Sequence, residues 1–367
     1  MLTETKKVLV AMSGGVDSSA AAILLRREGY DVIGVTMRLV QSGASVNRPF
    51  AKNCCPDDSA IDAKYVCQRL GVPHYVVDYA SQFKRAVIDE FVNEYFSGRT
   101  PNPCILCNTF MKWGELVKLG DQLGADFFST GHYARTDVLG NGDYALLMAT
   151  DKSKDQSYAL WGVNRDMLSR TIFPLGNMSK GRIRGILSEE GIYFAGKRES
   201  QDICFIPDND LPRFLKQAAH ESRPKIKSGP IVDTAGRVLG EHRGAMNYTI
   251  GQRKGLGISH PTPLYVKDLK IEENVVVVAE DAELGSAGCT VSKLNWLIAP
   301  PPAGSVQEFE VKIRYRHRPE RAVCEMLEGN VLAINFENSQ RAITPGQSAV
   351  FYRGERLCGG GIISSGV

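Results

Sequence analysis

Lys7-Val8-Leu9-Val10-Ala11-Met12-Ser13-Gly14-Gly15-Val16-Asp17-Ser18 opens as an apolar run and closes on paired glycines framed by serines and an aspartate. Residues 7–12 predict a strand buried on both faces, and residues 18–27 a helix stopped by Gly29. Between them, the two glycines permit backbone torsions that turn successive N–H groups toward one point, which makes an anion nest. The helix beginning near Ser18 adds its free N–H donors and positive dipole end to the same point. Ser13, Ser18 and Ser19 offer hydroxyl donors, and Asp17 is a carboxylate able to hold Mg2+ against phosphates. No lysine follows in the GxxxxGK[ST] manner, so this is a phosphate loop of another kind. A tight turn with no ligand is the plain alternative.

Strand and helix go on alternating to about residue 130. Strands are predicted at 31–37, 73–79 and 126–130, and helices at 57–70, 82–96 and 108–123, with Gly71 and Gly124 as stops. Such alternation implies an α/β domain whose parallel sheet is covered by helices on both faces. Farther on, Asn141-Gly142 between apolar runs marks a hairpin, and 179–190 predicts an accessory helix ending at Gly191. From about residue 210 the chain turns glycine-rich and basic, with Lys225-Ile226-Lys227 and Gly251-Gln252-Arg253-Lys254-Gly255-Leu256-Gly257. From about 285, short β-like runs (308–314, 331–336, 348–352) lie between Pro and Gly turns, as in a small β-barrel. The linker Ala299-Pro300-Pro301-Pro302 lies inside or beside that barrel. The expected architecture is therefore a parallel-sheet α/β domain over 1–208, a small β-rich central domain over 209–284 and a C-terminal β-barrel over 285–367.

Bulk properties fit this division. A chain of 367 residues exceeds one ordinary core. It is 43% apolar and 23% charged, and no apolar run approaches the ~20 residues of a membrane span. Lys+Arg 44 against Asp+Glu 41 leaves a net charge of +3, so any nucleic-acid contact must come from local basic patches. Residues 1–7 have neither a secretory apolar core nor an Arg-rich amphipathic character, so the expected compartment is the cytoplasm, with no membrane partner. Nine cysteines in such a chain do not read as a disulfide framework.

The cysteines divide by context. In Thr100-Pro101-Asn102-Pro103-Cys104-Ile105-Leu106-Cys107-Asn108, Pro103 disfavours helix at Asn102, so a helix is expected to begin near Cys107 or Asn108. A thiol at a helix N-terminus has its thiolate stabilised, which a sulfur nucleophile requires. Cys204 lies in a second polar loop, Glu199-Ser200-Gln201-Asp202-Ile203-Cys204-Phe205-Ile206-Pro207. A four-cysteine zinc site would need a second CxxC, and a thioredoxin-like motif would need a redox domain around it. Cys67, Cys289, Cys324 and Cys358 read as plain buried thiols, and the vicinal Cys54-Cys55 pair stays open.

Ser13 to Ser18 matches the SGGxDS signature of the PP-loop ATP pyrophosphatases, which cleave ATP between its α and β phosphates. With GRTPNPCILCN (98–108), FFSTGHY (127–133), KDQSYAL (154–160), ESQDICFIP (199–207), YTIGQRKGLG (248–257) and TPGQSAVFY (344–352), the chain resembles the bacterial tRNA-specific 2-thiouridylases over essentially its whole length. That resemblance implies an adenine nucleotide α-hydrolase-like fold and an ATP site of Ala11, Met12, Ser13, Gly14, Gly15, Val16, Asp17, Ser18, Met37 and Gly131. It implies that Cys107 is the nucleophile and that Cys204 receives sulfur as a persulfide, with Asp17 serving catalysis. Asn102, Pro103 and Cys104 would surround the target base, and Lys154, Asp155, Gln156, Arg314 and Tyr315 would contact tRNA. The implied reaction adenylates the C2 oxygen of the wobble uridine (position 34) and replaces it by sulfur, giving 2-thiouridine, AMP and diphosphate. The implied partners are the tRNA anticodon stem-loop and a sulfur-donor protein, either a cysteine desulfurase or a relay carrier.

One departure opens a second route. Much of the family has Asp where this chain has Cys104, and Cys104, Cys107 and Cys204 together supply three thiolates, enough for a [4Fe-4S] cluster with one open iron. The persulfide–disulfide route and the cluster route both need Cys107 and Cys204. For RNA, Lys152, Lys154, Arg165, Arg170, Lys180, Arg182 and Arg184, the Gln252-Arg253-Lys254 loop and the run Arg314-Tyr315-Arg316-His317-Arg318 are the candidate phosphate and base contacts. An ordinary solvated surface is the alternative for any one of them. His132, at the end of a sheet strand, sits where α/β sheets place ligands, and a structural histidine fits equally. Two other functions share parts of this pattern. A PP-loop ligase or amidotransferase needs the ATP loop but neither the distant cysteine pair nor the barrel, and a non-catalytic RNA- or metal-binding scaffold needs no intact loop.

Overall fold

In the first folding unit of the computed structural model, the strands are β1 (Lys7–Ala11), β2 (Asp31–Arg38), β3 (His74–Asp78), β4 (Phe127–Thr130), β5 (Ala134–Val138), β6 (Tyr144–Met148) and β7 (Thr171–Ile172). The structure describes residues 5–40, 56–196, 203–219 and 227–366. Cys54-Cys55, residues 199–202 and Lys225-Ile226 fall outside the described residues. This unit comprises Met1–Val87, Cys104–Pro207 and Glu355–Leu357.

Five of the strands form a parallel sheet of order β3-β2-β1-β4-β7. Val8, Leu9 and Val10 of β1 are fully buried, as a central parallel strand with both faces covered must be. Helix α1 (Val16–Arg27) presents Ala20, Ala21, Ala22, Ile23 and Leu25 to the core, and its small residues let it lie close on the sheet. Helix α2 (Pro56–Leu70) adds Ala63, Val66 and Cys67 to the same core, and the helix Lys180–Glu189 adds Ile183, Ile186 and Leu187. The chain runs from β1 outward through β2 and β3, then returns to place β4 on the other side of β1. The order reverses between β1 and β4, the point at which open α/β sheets hold ligands beyond the carboxyl ends of their strands. β5 and β6 form the expected hairpin across Asn141-Gly142, where Gly142 takes a φ of +84°.

The helix after Pro101 departs from expectation. It begins at Pro103, not near Cys107, because proline's fixed φ suits a first helical position while the residue before it stays extended. Pro103–Leu106 is α-helical, Cys107–Leu116 winds as a π-helix, and Val117–Gln122 returns to α. Cys107 is therefore a full turn inside the helix rather than at its N-terminus.

The second unit comprises Ile88–Pro103, Asp208–Gly354 and Cys358–Val367. Thr100 is fixed within it, its N–H donating to Pro345 O at 2.9 Å and its carbonyl accepting from Gln347 Nε2 at 2.8 Å. The strands here are β8 (Gly229–Val232), β9 (Val238–His242), β10 (Leu264–Lys270), β11 (Val275–Glu280), β12 (Gly285–Trp296), β13 (Val306–Lys312), β14 (Glu320–Leu327), β15 (Val331–Arg341), β16 (Ser348–Arg353) and β17 (Arg356–Gly366). The first four form one sheet of order β10-β11-β8-β9 over a core of Ile231, Tyr248, Leu264, Val266, Val276 and Val278. β12 to β17 close into the expected barrel, since β12 pairs with β15 on one side and with β17 on the other. Trp296, Phe309 and Phe351 stack at its centre with ring centroids 5.4–6.0 Å apart.

Candidate active site

The Ser13–Ser18 turn has the geometry of an anion nest. Gly14 takes a φ of +65°, a value that a side chain would strain, and Gly15 is the extended N-cap of α1 without any side-chain cap. The leading N–H groups of α1 thus point out of the turn with no capping oxygen to meet them. Ser18 shapes this turn: its hydroxyl accepts from Ser13 N and donates to Gly15 O, both at 3.2 Å. Ser19 is fully buried, and its hydroxyl has no hydrogen-bond partner among the described residues. Met12 is also buried, its sulfur 3.4 Å from Cys67 Sγ, and only its backbone borders the turn.

Gly131 follows β4 directly across the reversal point. A Cβ there would stand 2.6 Å from Ser18 N and 2.7 Å from Asp17 C, so the nest is walled by a backbone that only glycine permits. His132 beside it is half-buried, its Nδ1 within 2.7 Å of Thr130 Oγ1 and its ring 5.8 Å from that of Trp113. Burial, helped by the charge of Lys112, holds His132 well below the ordinary imidazole range. Met37 stands at the carboxyl end of β2, two residues beyond Val35, the partner of Ala11.

Asp17 is bound on two sides. Tyr133 Oη donates to Asp17 Oδ1 at 2.7 Å, and Lys180 Nζ donates to both carboxylate oxygens at 2.7 and 2.9 Å. Lys180 opens a helix capped by Ser179, whose hydroxyl accepts from Arg182 N, and the burial of Ile183, Ile186 and Leu187 sets that helix against α1. Read from its neighbours in the chain, Lys180 is only one of several basic residues suited to RNA. Its neighbours in that set are mostly in ion pairs: Lys152 with Glu355, Arg165 with Asp143, Arg170 with Asp121 and Arg182 with Glu189.

Cys104, Cys107 and Cys204 come within electrostatic reach of one another, and none is in a disulfide. Phe205 packs edge-on against Phe83 at 5.8 Å and Ile206 is buried, which anchors the loop carrying Cys204. Cys104 and Cys204 keep exposed surface and Cys107 is half-buried. The surrounding protein nonetheless pushes all three thiols up, Cys204 to about 12, while Lys112 pulls in the opposite direction at each. The expected lowering of Cys107 at a helix N-terminus does not hold: the helix begins at Pro103, so the residue lies a turn inside it, and burial pushes the thiol up. Among the described residues, no three His, Cys, Asp or Glu side chains are grouped so as to hold a metal ion. Cys67, Cys289, Cys324 and Cys358 are buried, in keeping with a packing role.

The residues expected at tRNA separate. Asp155 is buried, its carboxylate accepting from Ala149 N (2.9 Å), Ser157 N (3.3 Å) and Ser157 Oγ (2.8 Å). A direct RNA contact through that side chain is therefore corrected to an internal brace. Gln156 is likewise turned inward, its Oε1 accepting from Tyr133 N at 2.9 Å. In the second unit, Arg314 and Tyr315 lie on the turn after β13. Arg314 Nη1 donates to Arg341 O at 3.2 Å, and Tyr315 is 41% exposed. Asn102 and Pro103 belong to the second unit as well.

A parallel sheet with a nucleotide nest at its reversal point, followed by a basket of thiols, defines a PP-loop type of ATP-using enzyme. Residues 6–208 match the family described as tRNA methyl transferase HUP domain, 213–280 its PRC-barrel domain, and 286–363 the aminomethyltransferase beta-barrel domain. The chain is 44% identical over 363 residues to the tRNA-specific 2-thiouridylase MnmA of Geobacter metallireducens, covering 98% of this chain and 97% of that one. It is 46% identical over 361 residues to the protein of the same name from Carboxydothermus hydrogenoformans, covering 98% and 97%. Among solved structures, a 4-thiouridine synthetase–RNA complex with bound ATP is similar at a TM-score of 0.35 and 19% identity, over 58% of this chain and 50% of that one. The chain belongs to the tRNA-specific 2-thiouridylase family.

Proposed function

We propose that this chain is a tRNA-uridine 2-sulfurtransferase acting on the wobble uridine (position 34) of the anticodon stem-loop. The observation that carries this reading is the gathering of an anion nest and three mutually interacting thiols in one folding unit. The triphosphate of ATP would rest on the Ser13–Ser18 turn, with the adenosine toward Met37 and Gly131. Mg2+ is commonly held by one or two carboxylates together with phosphate oxygens, and Asp17 would serve it once Lys180, which donates to both of its carboxylate oxygens, turned to the phosphates. When bound, it neutralises charge on the departing diphosphate.

The reaction begins with the uridine out of its stack, so that its C2 oxygen reaches the α-phosphorus. The new oxygen–phosphorus bond forms as the bond to the β-phosphate bridge breaks, releasing diphosphate. A persulfide on Cys204, loaded by a sulfur-donor protein, attacks C2 and expels AMP. The Cys107 thiolate then attacks Cys204 Sγ, breaking its bond to the transferred sulfur. The products are a C2 thiocarbonyl and a Cys107–Cys204 disulfide, which a dithiol reductant reopens. On the alternative route, Cys104, Cys107 and Cys204 would be the three thiolate ligands of a [4Fe-4S] cluster, whose open iron would bind hydrosulfide. Asn102, Pro103 and Cys104, the backbone around Lys154 and Gln156, and Arg314 with Tyr315 make up the proposed tRNA-facing set. No helix among the described residues is long and apolar enough to cross a membrane, and the proposed site of action is the cytoplasm, where tRNA is.

Anaerobically purified chain, unmodified tRNA, ATP, Mg2+, cysteine and a cysteine desulfurase provide the test, read as 2-thiouridine by nucleoside mass spectrometry. One AMP per thiolated base is expected. Cys107→Ala and Cys204→Ala should each abolish thiolation while ATP still binds, and full activity in either overturns the mechanism. Cys104→Asp is expected to stay active. Its loss of activity, together with loss of stoichiometric iron and acid-labile sulfide, would instead establish the cluster route.

A further inference from the structure

Tyr133 stands between β4 and β5, 2% exposed, with its ring in the core that α1 shares with the sheet. One residue grips its backbone from both sides: Tyr133 N donates to Gln156 Oε1 and Gln156 N donates to Tyr133 O, each at 2.9 Å. The fixed phenol then reaches Asp17, 116 positions earlier, where its Oη donates to Oδ1 at 2.7 Å. The two meet because the turn after β4 runs against the first turn of α1 at Gly131. Lys180 completes the group, its Nζ 5.7 Å from the Tyr133 ring centroid and donating to both oxygens of Asp17. Those two oxygens are not equivalent. Among the described residues, Oδ1 has two donors, one of them locked in the core, whereas Oδ2 has Lys180 alone. A turn of Lys180 toward phosphate therefore frees Oδ2 and leaves Oδ1 with the phenol.

We propose that Tyr133 is a positioning residue that reserves Asp17 Oδ1 and so presents Oδ2 to the Mg2+ that accompanies ATP. Mg2+ demands near-ideal octahedral geometry, which a carboxylate free to swing serves poorly. A neutral donor on one oxygen fixes the plane of the carboxylate without cancelling its charge, as a second cation would. It also keeps Asp17 from following the ammonium when Lys180 turns away. The phenol keeps its proton throughout. Outer hydrogen bonds of this kind orient metal-ligating carboxylates, and losing one costs about 10- to 100-fold in metal affinity or activity. Gln156 stands one layer farther back, holding the backbone from which the phenol projects.

This role rests on Asp17 meeting Mg2+ as proposed above, and the two can fail separately. The full chain is dialysed to equilibrium against α,β-methylene ATP, whose α–β bridge is not cleaved, at saturating Mg2+ or in EDTA. Mg2+ should tighten binding by the parent, and Asp17→Asn should remove that gain. Failure of either result overturns the metal role of Asp17 and the role of Tyr133 with it. Tyr133→Phe keeps the ring under Lys180 and loses only the hydroxyl. Its affinity at saturating Mg2+ should fall about tenfold, while its affinity in EDTA stays within about twofold of the parent. Asp17→Asn combined with Tyr133→Phe should bind no more weakly than Asp17→Asn alone, because Tyr133 acts through Asp17. An undiminished Mg2+ gain in Tyr133→Phe, an equal loss with and without Mg2+, or additive losses in the double variant overturns the proposal. Gln156→Leu, which slackens Tyr133 from behind, should lower the gain in the same direction by less. It carries the test should Tyr133→Phe not fold, and an unchanged gain there overturns the proposal too.

Discussion

Lys180 Nζ lies 2.7 and 2.9 Å from the two carboxylate oxygens of Asp17, across 163 residues of sequence. The pair sits largely screened from water, with side-chain exposures of 13% and 28%. A lysine held there meets any triphosphate that enters the nest, and it offsets the charge of Asp17 that would otherwise repel phosphate. Charge-assisted hydrogen bonds of this kind contribute about 1.5–3 kcal/mol, so Lys180→Met should lower kcat/KM for ATP by roughly 10- to 100-fold. ATP affinity by equilibrium dialysis and tRNA affinity by filter binding separate the two readings of this residue. Weakened ATP binding with unchanged tRNA binding is expected, and the opposite pattern would return Lys180 to the RNA surface.

The raised thiols make a prediction about pH. Burial favours the neutral form, so at neutral pH Cys204 is overwhelmingly protonated. Its alkylation rate should climb about tenfold per pH unit from 7 to near 11, where a small thiol of ordinary pKa levels off above about 9. The sign follows from the raised value: thiolate becomes available only as pH rises toward about 12. Site-resolved mass spectrometry with glutathione as internal standard reads this directly. A plateau for Cys204 below pH 9 contradicts it.

Asp155 gives a stability prediction. Its carboxylate satisfies Ala149 N, Ser157 N and Ser157 Oγ, and truncation leaves those donors buried. Asp155→Ala should lower unfolding free energy by about 2–4 kcal/mol, read by urea denaturation. At low temperature, where the variant stays folded, its tRNA affinity should remain within about twofold of the parent. A tRNA defect without lost stability would mean that the carboxylate serves RNA after all.

These residues also mark what the amino-acid order could reveal. The Ser13–Ser18 nest was legible because its causes are local: two glycines, a strand before and a helix after. The barrel was legible from its spaced short runs, though the pairing of β12 with β17 that closes it joins residues some seventy positions apart. Lys180 on Asp17 was hidden for the same reason, since nothing in its neighbours marks it apart from other basic residues. The start of the helix at Pro103 was a matter of two competing effects. Proline restricts the residue before it and favours helix at its own position, and here the second effect sets the start. The π-winding from Cys107 had no sequence signal, and with it went the hydrogen bond of Lys112 to Asn108. Asp155 and Gln156 were expected at tRNA only through the family resemblance, whereas the side chains of both find partners inside the fold.

Gly131 offers the most direct test of how the nest is walled. Its Cα lies so near α1 that an added Cβ would stand 2.6 Å from Ser18 N and 2.7 Å from Asp17 C. Both are backbone atoms at the first turn of α1, so no side chain can swing aside to relieve the contact. Gly131→Ala must therefore push β4 and α1 apart or tilt the turn, at a cost of about 1–3 kcal/mol. Because the displaced atoms carry the N–H groups that would meet phosphate, ATP affinity should fall by at least about tenfold, beyond the effect on stability. Thermal unfolding with and without ATP reads both quantities in one experiment. A lowered melting temperature in the apo protein, with the ATP-induced rise largely lost, is the expected pattern. Gly124→Ala, at a positive-φ position with nothing within 4 Å of the added Cβ, should lower the melting temperature through backbone strain yet keep the ATP-induced rise. If Gly131→Ala keeps that rise intact, the close approach of residue 131 to α1 has no part in holding the nucleotide.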